Sequence, residues 1–98
     1  MVANTSTDLL DEVRKAKGIA SDYAMAKYLD VLPQTISNYR HGRSQMSDEI
    51  AVAMAALIDR APGPILAQLA SERAKSPEVA KVWRDVAKAL AKMGKSGK

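Results

Sequence analysis

The chain has 98 residues, 47% of them hydrophobic, with no cysteine and a formal net charge of +4. That length fits one compact domain with one core, and the absence of thiols excludes disulfide scaffolds, thiolate metal sites and cysteine nucleophiles. The charge is uneven: residues 1–60 hold 7 Lys/Arg against 8 Asp/Glu, and residues 61–98 hold 8 against 3, so the basic excess is C-terminal.

In chain order, Thr7 or Asp8 can open a first helix in which Leu9, Leu10, Val13 and Ala16 fall at helical spacing before Gly18 ends it. Ser21 suits the N-cap of a short second helix over residues 22–29, with Tyr23, Ala26 and Leu29 on one side. Pro33 suits the first turn of a third, where its missing N–H would be unpaired anyway, and Gly42 suits a left-handed stop after about Arg40. Ser47 with Asp48 and Glu49 starts a fourth, striped by Ile50, Met54, Leu57 and Ile58. Ala61-Pro62-Gly63-Pro64 breaks it, and Ile65, Leu66, Leu69 and Ala70 then support a fifth helix to about Lys75. Ser76-Pro77-Glu78 repeats the start signal for a sixth, with an apolar seam of Val79, Val82, Trp83, Val86, Leu90 and Met93. Residues 94–98 read as a mobile basic tail. No stretch alternates in the manner of a strand, so the expected fold is all-α, a compact bundle of five to six helices.

Residues 21–44 carry the chemistry. Packing Ile36 and Tyr39 inward turns Gln34, Thr35, Asn38 and partly Ser37 outward, a cluster of neutral hydrogen-bonding groups rather than charges. An amide side chain presents a donor and an acceptor together and can bond adenine bidentately, while the carbon surface of Thr or Pro can pack on a thymine methyl. Arg40, His41 and Arg43 follow with no acid between residues 31 and 47, where cations can grip phosphate.

This stretch resembles the Cro/repressor helix-turn-helix family of phage and bacterial transcriptional regulators. The resemblance runs without a gap from Ser21 through Gly42: the small Ala26, the apolar Leu29, Val31 and Ile36, the QTISNY run and the RHGR ending. It departs from the family pattern at Asp30, where Gly is favoured in the turn, at Leu32-Pro33, where a capping Ser or Thr is usual, and at Asp22, where an amide often touches phosphate. The resemblance implies a lambda-repressor-like helix-turn-helix core over residues 1–60; residues after about Arg60 lie outside it and read as a C-terminal helical extension over residues 61–93, packing on the core, dimerising or both, with the tail beyond. It also implies double-stranded DNA as partner, with Pro33, Gln34, Thr35, Ser37 and Asn38 reading bases and Ser21, Lys27, Arg40, His41 and Arg43 on phosphate.

One short helix offers few base contacts, so a homodimer on a two-fold operator is expected, with Val79, Val82, Trp83, Val86 and Leu90 either its interface or packing that completes the core of one subunit. The alternative is an antitoxin-type module whose C-terminal helices bind a protein partner. One histidine, no cysteine and no Gly-rich phosphate loop give no support to an enzyme, and no metal, cofactor or small-molecule substrate is expected. No apolar run approaches the roughly 18 residues of a membrane span, and residues 1–12 lack the order of a secretory leader. A cytoplasmic, nucleoid-associated protein of a bacterial host is the expectation.

Overall fold

A computed structural model of the chain describes residues 5–96, and the side chains of residues 5–93. It holds six helices: α1 (Thr5–Lys17), α2 (Asp22–Leu29), α3 (Pro33–Arg40), α4 (Asp48–Leu57), α5 (Pro62–Arg73) and α6 (Pro77–Ser96). Among the described residues there is no strand, so the fold is all-α.

The first four helices end in the same way. Gly18, Asp30, Gly42 and Asp59 have φ of 65°, 59°, 72° and 58°. In each case the next N–H reaches back to a carbonyl inside the helix: Ile19 to Arg14, Val31 to Ala26, Arg43 to Asn38 and Arg60 to Ala55, all at 2.9 Å. This closure satisfies carbonyls that the last turn would otherwise leave open. Glycine enters the left-handed region freely, and aspartate is among the few other residues that tolerate it. The starts of α2, α4 and α6 are capped by side chains: Ser21 Oγ accepts from Ala24 N, Ser47 Oγ from Ile50 N and Ser76 Oγ from Val79 N.

The core is one cluster drawn from α1 to α5. Leu9, Leu10 and Val13 meet Met25 and Ala26, Ile36 and Tyr39, Met46 of the α3–α4 loop, Ala51, Met54 and Ala55, and Ile65 and Leu69. Alanines at the crossings let the helices approach closely without phenylalanine. Three hydrogen bonds tie the start of α1 across the bundle: Met46 N donates to the buried Ser6 Oγ at 3.0 Å, and Thr5 donates from both N and Oγ1 to Glu72 Oε2.

Several expectations need correction. α1 is already helical at Thr5, ahead of Thr7 and Asp8. Pro62-Gly63-Pro64 is the first turn of α5 and not a linker before it, because a proline in a first turn forfeits no helical hydrogen bond; α5 then stops at Arg73. Residues 94–96 continue α6 where a mobile tail was expected, and Gly97 and Lys98 lie outside the described residues. Among the described residues no helix is long and apolar enough to cross a membrane.

α6 contributes no residue to the core cluster. Deleting the chain from Pro77 onward should therefore leave a cooperatively unfolding bundle, read by circular dichroism during chemical denaturation. Met54→Ala in the same assay should cost about 2–5 kcal/mol, because Met54 is fully buried at the centre of the cluster.

Candidate nucleic-acid interface

α2 and α3 are joined by Asp30, Val31 and Leu32, and the left-handed Asp30 turns the chain sharply enough to lay α3 across α2. Ile36 and Tyr39 are buried beneath α3. The 100° step of a helix then sets Pro33, Gln34, Ser37, Asn38 and His41 along the opposite face, with Thr35 at its border. Pro33, Gln34 and His41 are exposed, and Thr35, Ser37 and Asn38 are half-buried. All five residues expected to read bases thus lie on or beside one outward strip.

The strip is pre-arranged by its own hydrogen bonds. Gln34 Nε2 donates to Asn38 Oδ1 at 3.0 Å, one helical turn along. Asn38 Oδ1 also accepts from Arg43 Nη1 at 3.5 Å, and the Asn38 carbonyl accepts from the backbone N–H of Arg43. The amide of Asn38 is therefore oriented with its Nδ2 free to face a partner, while Gln34 keeps its carbonyl oxygen. His41 Nδ1–H donates to the Ser37 carbonyl at 2.9 Å, so only Nε2 is left for an outside group.

Arg40 departs from its expected place on phosphate. Its Nε and Nη2 form a fork on Asp22, at 3.0 Å to Oδ2 and 2.9 Å to Oδ1, and its Nη1 lies 2.8 Å from Asp11 Oδ1. The side chain is only 20% exposed. The reason is angular: residue 40 falls nearer to the buried Ile36 than to Asn38 around the α3 axis, so it points back at the start of α2. Arg14 completes the network, donating from Nη1 to Asp22 Oδ1 at 3.3 Å, from Nε to the Ile19 carbonyl and from Nη2 to the Ala20 carbonyl. Asp22, whose charge would repel a phosphate, is thereby neutralised by two guanidinium groups.

The remaining cations stand as follows. Arg43 is exposed and meets no carboxylate among the described residues. Lys27 is exposed on α2, its Nζ 5.4 Å from the centroid of the Tyr23 ring. Ser21 is exposed, with its Oγ engaged in capping α2. Sequence reasoning missed Asp11 and Arg14; the signal available was an arginine in the last turn of α1 facing a loop of open carbonyls. It also missed Leu32, which is 72% exposed beside Pro33 at the tip of the strip.

Among the described residues the fold and site define a small protein of six helices whose eight-residue third helix presents an amide-bearing polar strip, backed by an arginine–carboxylate clamp. No family model matches the chain, and no solved structure matches it. It is 35% identical over 89 residues to a protein of Pseudoalteromonas phage PM2 named "Uncharacterized protein Gp-c", a match covering 86% of this chain and 96% of that one. The chain belongs to the Gp-c family.

The clamp carries a pH dependence. The Arg40 fork holds the Asp22 carboxyl below its ordinary value of 3.8, helped by Arg14 and opposed by partial burial. With the folded value depressed, the unfolded chain takes the proton first as pH falls. The stabilisation is complete above the unfolded value and is lost as pH drops through the folded one. Asp22→Asn should lower stability at neutral pH, and its deficit against wild type should shrink as pH falls below about 4, measured by urea denaturation at a series of pH values.

Proposed function

We propose that the chain is a sequence-specific double-stranded DNA-binding regulator of transcription, a repressor or Cro-like switch, that lays α3 in the major groove. The observation that carries the reading is the Gln34–Asn38 pair: two neutral amides, hydrogen-bonded to each other one turn apart on an outward helix face, with Arg43 at its end. A merely solvated helix face favours charges, whereas base edges are matched by groups that both donate and accept. The resemblance of residues 21–42 to the Cro/repressor helix-turn-helix supports the same reading. So does the neutralised Asp22, which removes the one carboxylate that would oppose a phosphate at the start of α2.

In this reading Gln34 and Asn38 contact bases, Pro33 and Ser37 pack beside them, Thr35 borders the strip, and Arg43 holds a phosphate. Arg40 acts at one remove, as a positioning residue that locks α3 against α2. His41 has only Nε2 left for a phosphate, because its Nδ1–H is already bonded to the Ser37 carbonyl. Two copies on a two-fold site would double the few base contacts that one short helix makes.

Selection of bound sites from random duplexes tests the whole reading, and no enriched sequence would end it. On the enriched site, Gln34→Ala and Asn38→Ala should each weaken binding by about 1–3 kcal/mol with little change on random DNA. Because the two amides bond each other, the double variant should lose less than the sum of the single losses. Arg43→Ala should weaken specific and random duplexes alike and lower the salt slope by about one ion, read by titration at several salt concentrations.

A further inference from the structure

α6 packs on α5 along one edge only. Ala87 is buried there, Ala80 is half-buried, and Leu90 approaches Gly63 so closely that a Cβ on that glycine would lie 3.4 Å from Leu90 Cδ1. Leu90, expected in a subunit interface, is thus largely occupied by α5. The adjoining edge is apolar and open: Val79, Val82, Trp83 and Met93 are 49%, 59%, 40% and 65% exposed. With Val86 and Ala89 they recur at three- and four-residue steps, the spacing of a helix seam that packs on another helix. A contiguous apolar strip of this kind marks an interaction surface.

The charges beside the seam say what covers it. Glu78, Asp85 and Lys92 follow one another at seven-residue steps along the flank away from α5, acidic toward the start of the helix and basic toward its end. A parallel second copy would set this flank against the edge of the seam that carries Trp83 and Leu90, which bring no charge to it. An antiparallel copy sets Asp85 against Lys92 of the other chain on both sides of the axis, and opposes the helix dipoles. Asp85 bonds Lys81 of its own helix at 3.0 Å and retains carboxylate lone pairs for a second cation.

We infer that α6 pairs with α6 of a second copy of this chain, antiparallel, about a two-fold axis passing near Ala87 and Lys88. Val86 of each copy packs on Ala89 of the other, where the small side chain lets the axes approach, and Val82 packs against Met93. The inference deepens the two-copy part of the DNA-binding reading but stands on this surface alone, and its test contains no DNA, so either can fail without the other.

The test uses the full-length chain. Sedimentation over a concentration series should show a reversible dimer, and Val82→Glu should make it monomeric while circular dichroism keeps the helical content. Asp85→Lys and Lys92→Asp should each weaken the dimer about tenfold, and the chain carrying both exchanges should recover most of that loss. Because the chain has no cysteine, single substitutions report neighbours cleanly. When the Val86→Cys and Ala89→Cys chains are mixed and gently oxidised, the mixed 86–89 disulfide should exceed both homodisulfides. Homodisulfides in excess would mean parallel pairing and overturn the inference, as would a wild-type protein that sediments as a monomer at every concentration.

Discussion

Asp22 receives the fork of Arg40 from α3 and one arm of Arg14 from α1, while Arg40 extends its remaining nitrogen to Asp11. Four charged groups from three helices thus meet at the first turn of α2. A guanidinium fork on a carboxylate has a fixed plane and a fixed approach, so the arrangement defines angle as well as distance. The Asp22 side chain is 41% exposed, and ion pairs in contact with water contribute little net free energy. The weight of the clamp is therefore geometric: it sets how α3 lies across α2, and with it the direction of every residue on the outer face of α3.

Beneath that clamp the bundle is held by small and flexible side chains. Ala26, Ala51 and Ala55 are fully buried, and Met25, Met46 and Met54 fill the spaces that the missing phenylalanines would have taken. Unbranched methionine adapts to irregular gaps, which suits a core whose helices are short and differently angled. α5 serves two masters: Ile65 and Leu69 close this core, while Ala67 and Gly63 lie on the side that receives α6.

Helix ends were the most legible part of the sequence, since they depend on one or two local residues. Ser21, Ser47 and Ser76 cap where a hydroxyl is expected to, and Gly18, Asp30 and Gly42 take the left-handed stops. Asp59 escaped notice because Pro62-Gly63-Pro64 offered a louder break three residues on. The outward strip of α3 was legible from periodicity alone, since fixing Ile36 and Tyr39 inward leaves no other place for Gln34 and Asn38. The fate of Arg40 was not, because its partners Asp22 and Asp11 are 18 and 29 residues away and only the fold brings them together. The apolar arc of α6 was read correctly as an arc, but its width exceeds one neighbour. Alanines at 80 and 87, weak signals in any hydrophobicity pattern, proved to be the edge that α5 covers.

The segment from His41 to Ser47 is moored at both ends. Asn38 holds its first residues through the N–H groups of Arg43 and Ser44, and its far end is tied by Gln45 Nε2 to the Leu69 carbonyl at 2.8 Å and by Met46 N to Ser6. Little slack is left between the moorings, so the backbone of Arg43 sits at a set offset from the amide of Asn38. The ordering entropy of that segment is spent during folding and need not be spent again when a ligand arrives. A cation on so short a mount acts as a gauge. For the DNA-binding function proposed above, it would accept an anion over a limited range of spacings from whatever the amides touch, so that part of the discrimination would be by length.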